Sequence, residues 1–389
     1  MSSPAESSPA ESSPAESSPA ESRPAIRSDI ALMDGYHSPQ IDVAIRLNTN
    51  EAPEPPPQAF RDAVADLARE VSWHRYPDRQ ARALRQAIAE LEGVHSDQVF
   101  VANGSNEVLQ SLLLLFGGAG RVALTFEPTY AMHSHIARVV GTTVVEGERD
   151  SEFRIPLDSA LALVAEHRPS VTFLCSPNNP TGVSEPESLI TEMLESVRAV
   201  NGLLVVDEAY GQFAPLSSIR RVAEDVPLVV TRTFSKTWSM AAARLGYLVG
   251  PTWLVEELEK VVLPYHLDAF KQAAGALALT FRAEMNQRVE QLVGERERVS
   301  EALSRLDLSV WDSTANFILF RPNTHSGTKV WEALVQRSIL VRNCSSWPRL
   351  HGCLRVTLGT EFENTAFIDA LGEILAEPPT EPTRAEGSP

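Results

Sequence analysis

The stretch Thr231-Arg232-Thr233-Phe234-Ser235-Lys236, with Arg244 eight residues beyond the lysine, decides how this chain is read. It continues an apolar run beginning at 227, of the kind that forms a buried strand, so the lysine falls at a strand end. By itself that means little, because most lysines are solvated surface charges. Upstream, Ser176-Pro177-Asn178-Asn179-Pro180-Thr181-Gly182 closes the apolar run 171 to 175, and Asp207-Glu208-Ala209-Tyr210 closes the run 203 to 206. Such runs alternate with helical periodicity, which predicts an α/β fold with a mostly parallel sheet covered by helices on both faces. Sheets of that kind bind ligands at the carboxyl ends of their strands, so three successive polar strand ends are expected on one edge.

Pyridoxal 5'-phosphate is a cofactor whose needs these residues meet. A lysine amine condenses with its aldehyde, and an acidic partner keeps its ring nitrogen protonated so that the ring serves as an electron sink. Lys236 and Asp207 are the candidates for those roles. Tyr210 and Asn179 would hydrogen-bond the ring's phenolic oxygen, while Thr233, Ser235 and Arg244 would hold the phosphate, for which a guanidinium offers forked donors. The order Asn-Pro-Thr-Gly, Asp-Glu-Ala-Tyr, Ser-Lys and Arg at lysine plus eight resembles the fold-type I, class I/II aminotransferases. Four matches in one order carry far more weight than any one of them.

The length of 389 residues admits two domains. With 34 basic against 51 acidic residues the formal charge is −17, which argues against nucleic acid or an anionic membrane as a partner. Anionic substrates would then be held by local arginines. Cys175, Cys344 and Cys353 are scattered, odd in number and without metal-ligand spacing, so a reducing compartment and a cytoplasmic location are expected. No long uncharged apolar run suggests a membrane span, and the N-terminus has neither the basic start nor the apolar core of a secretory signal.

Residues 2 to 21 are four copies of Ser-Ser-Pro-Ala-Glu, too poor in apolar residues to fold, so a disordered tail is expected over 1 to 24 and another over 377 to 389. An irregular, proline-rich arm at 25 to 56 is expected to contribute to a smaller domain and to a dimer contact. Helical periodicity marks 58 to 72 and 79 to 92, followed by strand-like runs at 99 to 101, 122 to 126, 142 to 145, 171 to 175, 203 to 206, 228 to 231 and 245 to 249. A large cofactor-binding domain is thus expected over 57 to 265. Beyond 251 the pattern changes to helices at 253 to 262 and 269 to 305, then short strands interleaved with helices near 327 to 338 and 362 to 376. A small α+β domain over 266 to 376 follows from that.

The remaining motifs take their meaning from the resemblance. Asn103-Gly104-Ser105-Asn106-Glu107 opens a helix, where free backbone amides make a phosphate site; read alone, Ser105 or Asn106 is equally a helix cap. In the aminotransferases this turn supplies amides to the cofactor phosphate, and an aromatic residue at the place of Tyr130 stacks on the ring. Arg75-Tyr76-Pro77-Asp78 resembles the histidinol-phosphate aminotransferase branch, in which the tyrosine reaches the partner's cofactor phosphate. The resemblance therefore implies a homodimer with Tyr76 given in trans. Arg355, in Leu354-Arg355-Val356-Thr357-Leu358-Gly359-Thr360, takes the place of the family's substrate-anion arginine. Arg342, Asn316 and Tyr36 match further positions of the branch, with Arg342 and Tyr36 near the substrate. Asn106 departs from the acid usual there.

What the branch implies is reversible amino transfer from L-histidinol phosphate to 2-oxoglutarate, giving imidazole acetol phosphate and glutamate, in histidine biosynthesis. Relatives with the same motifs transaminate aromatic amino acids, and another branch decarboxylates threonine phosphate; Arg355 suits either anion. A catalytically inactive regulatory or interaction protein on the same fold is the alternative of a different class, against which the intact Lys236, Asp207, Tyr210 and Arg244 count. His133 and His135 invite a metal reading, but two residues apart on a helix they face different ways, and no metal site is expected.

Overall fold

In a computed structural model of the chain, residues 24–33, 35 and 40–378 are described. The two expected tails and Tyr36 lie outside them, except for a few residues at the tail margins. Two compact units are distinguished, Met1–Pro39 and Gln40–Pro389. Within the first, one helical turn, α1 (Ser28–Ala31), carries an Arg27–Asp29 ion pair of 2.6 Å.

The second unit contains two sheets. The larger runs in the order β2 (Val99–Ala102), β8 (Gly246–Val249), β7 (Leu228–Thr233), β6 (Leu203–Asp207), β5 (Val171–Cys175), β3 (Val122–Glu127) and β4 (Thr143–Glu148). β8 is antiparallel to both of its neighbours, and the other pairs are parallel. The central strands are buried along their length because each face meets its own apolar layer. Leu204, Val206, Leu228 and Val230 enter one core with α3 (Arg82–Glu92), α6 (Leu157–His167), α7 (Glu187–Ala199) and α9 (Ala269–Leu279). Leu203, Val205 and Val229 enter the other with α4 (Ser105–Phe116), α5 (Met132–Val139) and α8 (Thr252–Leu258). Alternate side chains of a strand point to opposite faces, so continuous apolar runs were needed to fill both.

The smaller sheet has the order β1 (Ile45–Leu47), β11 (Ile339–Asn343), β12 (Leu354–Thr357), β10 (Phe317–Pro322) and β9 (Leu308–Val310). It packs with α10 (Arg282–Ser304), α11 (Gly327–Gln336) and α12 (Glu361–Ala376) in a separate apolar cluster. Tyr210 and Phe213, which follow β6 of the larger sheet, join that cluster, and the Tyr210 ring meets Phe317 edge-on at 5.0 Å.

Several elements differ from the sequence expectation. The arm at 25 to 56 is not wholly irregular, since it holds α1 and β1; three residues of strand between prolines are too few to show alternation. The helix expected over 269 to 305 is two helices. The break falls where Thr280 Oγ1 donates back to the Leu277 carbonyl (2.8 Å) and Phe281 is pinned edge-on against Phe60 of α2 (Gln58–Glu70) at 5.7 Å. The helix expected from 79 starts at Arg82, because Asp78 accepts from the Gln80 and Arg82 amides and holds the residues between them in a turn.

Candidate active site

Lys236 stands three residues past β7, and its Nζ donates to the Thr49 carbonyl at 3.2 Å and lies 5.7 Å from the centre of the Tyr210 ring. Burial and the Arg355 guanidinium, aided by Arg244 and opposed by Glu51, push its amine down to about 8. A desolvated ammonium with cations nearby gives up its proton more readily than one in water.

Asp207, the last residue of β6, is 1% exposed. Its Oδ1 accepts from Thr231 Oγ1 and from the Ala209 amide, both at 3.1 Å, and Oδ2 faces His133 Nε2 at 2.9 Å. His133 comes from α5, on the sheet face toward which Asp207 points, and stacks on Phe173 with ring centres 4.8 Å apart. A carboxylate only accepts, so Nε2 donates to it. Three donors on a carboxylate with about four acceptor positions leave one for a further N–H. Weighed from sequence as a metal ligand and set aside, His133 stands against the acid Asp207.

The turn from β2 into α4 brings backbone amides to the same edge. Gly104 is the N-cap at φ +83°, and no side chain caps the helix. Ser105 and Asn106 therefore do not act as caps; the Asn106 side chain accepts from Tyr130 Oη at 3.0 Å instead. Arg244 lies over this terminus, its Nη2 2.9 Å from where a Cβ on Gly104 would sit, and its Nη1 reaches Ser235 Oγ at 3.4 Å. Ser235 Oγ also accepts from Thr233 Oγ1 at 3.0 Å. A Cβ on Gly246 of β8 would fall 2.3 Å from the Ser105 nitrogen, so this strand passes the helix terminus only as glycine. Uncapped amides, the helix dipole and a guanidinium together form a cradle for a phosphate dianion.

Opposite stands a pair of arginines from the smaller sheet. Arg342 on β11 and Arg355 on β12 are register partners, 8% and 5% exposed. Arg355 donates to Asn179 Oδ1 and, at 3.1 Å, to the Asn48 carbonyl, and its guanidinium lies 5.1 Å from the Phe317 ring. Trp347 faces both arginines, 5.1 Å from Arg342 and 6.0 Å from Arg355. The Tyr210 hydroxyl accepts from Asn50 Nδ2 at 2.8 Å, and burial pushes its phenol up to about 12.

The structure thus brings Lys236, Asp207, Tyr210, Asn179, Ser105, Asn106, Tyr130, Thr233, Ser235, Arg244, Arg342 and Arg355 to neighbouring positions about the strand ends of one sheet and the facing arginines of the other. Asn316 is fully buried and donates to the Asn50 carbonyl at 3.3 Å. Tyr76 is not in this cluster within its own chain: it is 81% exposed and stacks on Tyr265 at 4.6 Å. Sequence reading assigned no part to Thr49, Asn50, Thr231, Trp347 or Thr357. Nothing local to Leu47-Asn48-Thr49-Asn50-Glu51 shows that Asn50 bonds a residue 307 positions away.

Comparison with known proteins gives the same direction. The family model for aminotransferase class I and II matches residues 42–371. The histidinol-phosphate aminotransferase of Frankia casuarinae is 42% identical over 90% of this chain and 90% of its own, and that of Rhodococcus opacus is 42% identical over 90% and 93%. Among solved structures, the histidinol-phosphate aminotransferase of Sinorhizobium meliloti in complex with pyridoxal-5'-phosphate superposes with a TM-score of 0.78 at 22% identity, covering 86% of this chain and 91% of that one. The L-threonine-O-3-phosphate decarboxylase of Porphyromonas gingivalis gives 0.74 at 20% identity over 86% and 100%, so the fold alone does not choose the reaction. Matched along most of its length by the family model and closely related to curated members over nine-tenths of it, the chain belongs to the class I and II aminotransferases.

Proposed function

We infer that the protein is a pyridoxal-phosphate-dependent aminotransferase that moves the amino group of L-histidinol phosphate to 2-oxoglutarate, a step of histidine biosynthesis. The observation that carries this is the placing of Lys236, Asp207 and the α4 cradle beside a buried arginine pair, in a chain whose curated relatives bear that name. The residues present fit the cofactor: the cradle suits its phosphate, and the free acceptor position of Asp207 suits a ring N–H.

When bound, pyridoxal phosphate supplies an electron-poor ring that draws charge from the α carbon of the donor. Asp207, held by Thr231, Ala209 and His133, keeps a proton on the ring nitrogen. Asn179, whose Oδ1 is engaged by Arg355, would have its Nδ2 to give to the phenolic oxygen, where Tyr210 would donate as well. Tyr130 would cover the ring, while Ser105, Asn106, Thr233, Ser235 and Arg244 would hold the phosphate. Lys236 would hold the aldehyde and would move a proton at the donor α carbon. An amine near 8 accepts and returns a proton at neutral pH far better than one at 10.5. Arg355 and Arg342 take the substrate anion.

The same reading makes the molecule a cytoplasmic homodimer in which Tyr76 reaches the partner's phosphate, and it takes the two sheets as the large and small domains, 57 to 265 and 266 to 376, with the arm at 25 to 56. Exposed Tyr76 and Tyr265 stack on one another and exposed Trp73 stacks on the half-buried Phe270, which supports a covered surface. Among the described residues no helix is long and apolar enough to cross a membrane. The test is kcat/KM for histidinol phosphate, phenylalanine, tyrosine and aspartate with 2-oxoglutarate as acceptor. Histidinol phosphate is expected to lead by at least about tenfold, or ~1.4 kcal/mol. An aromatic amino acid in the lead would overturn the assignment of the donor.

A further inference from the structure

Asn50 is 1% exposed, and all four of its polar groups are committed to distant segments. Its backbone N–H donates to Thr357 Oγ1 at 2.9 Å, and its carbonyl accepts from Asn316 Nδ2 at 3.3 Å. Thr357 Oγ1, already an acceptor, spends its own proton on Asn50 Oδ1 at 3.1 Å. Oδ1 of the Asn50 amide thus faces Thr357, and Nδ2 donates to Tyr210 Oη at 2.8 Å. The bonds therefore run in one direction, from Thr357 through Asn50 to Tyr210, and each strengthens the next.

A phenol has a single proton. With Asn50 occupying a lone pair of the Tyr210 oxygen, that proton lies elsewhere, and the ring is held edge-on against Phe317, so only the hydroxyl rotation was left to fix. We propose that Asn50 is a positioning residue that makes Tyr210 a hydrogen-bond donor into the site, aimed at the phenolic oxygen of the cofactor. The proposal rests on the reading of Tyr210 given above and adds what sets the direction of its bond. The charged and titratable groups about Tyr210 are Lys236 from beyond β7, Arg355 from β12, and Asp207 and Cys175 from the ends of β6 and β5. Burial keeps the phenol protonated across the neutral range, so it has a proton to give.

The experiment follows the pH at which the visible absorbance of the cofactor-loaded protein changes, in Tyr210→Phe, Asn50→Gly and the double variant. Glycine suits the φ of +54° at position 50 and removes only the side chain. A donor lost from the phenolic oxygen disfavours the deprotonated form. Tyr210→Phe is thus expected to raise the transition by about one pH unit and Asn50→Gly by about half of that. The double variant should match Tyr210→Phe, because without a hydroxyl there is nothing left to orient. Additive shifts in the double variant, or a shift in Tyr210→Phe with none in Asn50→Gly, overturn the proposal while leaving the role of Tyr210 intact. No shift in Tyr210→Phe sinks the reading of Tyr210 itself and the proposal with it. Should Asn50→Gly not fold, Asn50→Asp keeps the size and tolerates the backbone; its carboxylate takes the Tyr210 proton, so it must shift the transition more with tyrosine at 210 than with phenylalanine.

Discussion

At the scale of single residues, the chemistry turns on how an ordinary side chain is altered by its surroundings. Lys236 beside Arg355 and Arg244 is the clearest instance. The rate at which the cofactor-free protein captures pyridoxal phosphate should rise with pH and be half-maximal near 8, whereas a lysine at the ordinary 10.5 would still be accelerating there. Stopped-flow absorbance over a pH series reads this directly, and Lys236→Ala should show neither capture nor turnover. Trp347 presents its indole to both Arg342 and Arg355, the arginines proposed to take the substrate anion. Two such contacts, each worth about 0.5–1 kcal/mol at partly exposed sites, imply that Trp347→Ala raises KM for a phosphorylated donor by about five- to thirtyfold with kcat nearly kept. Trp347→Phe should recover most of the loss, and steady-state kinetics on both variants decides it.

At the scale of elements, the phosphate cradle exists because a strand and a helix terminus meet more closely than a side chain permits. Gly246 on β8 lies against the Ser105 nitrogen at the start of α4. Gly246→Ala must push the two apart, a strain of about 1–3 kcal/mol, and should weaken cofactor binding by about tenfold or more while leaving secondary structure unchanged. Cofactor titration followed by fluorescence, with circular dichroism as the control, tests this. The same elements show what a sequence pattern conveys. The seven strands of the larger sheet were legible because continuous apolar runs ended in polar clusters at regular intervals. β1 was not, being three residues long, and the break between α9 and α10 was not, because it contains no glycine or proline and depends on Phe281 meeting Phe60 from another helix.

At the scale of the whole molecule, Tyr76 is the residue that a single chain leaves apart from its cluster. If each site takes Lys236 from one subunit and Tyr76 from the other, a dimer pairing a Lys236→Ala subunit with a Tyr76→Ala subunit contains one intact site. Random mixing of the two nearly inactive variants should then restore about a quarter of the normal activity, since about half of the dimers are hybrids with one good site of two. No recovery in purified hybrids would mean that Tyr76 serves its own chain or neither.

The fold class, the edge that carries the chemistry and the cofactor were all present in the order of the residues. Apolar periodicity is set by each residue's near neighbours, and the motifs at strand ends carry their own spacing. The partners of those motifs were not present in that order. His133 beneath Asp207 and Asn50 between Thr357 and Tyr210 are contacts between segments that only chain crossing brings within hydrogen-bond range. Such interactions fall off within a few ångströms, so the tertiary structure alone decides which donor meets which acceptor, and with that the direction in which each proton points.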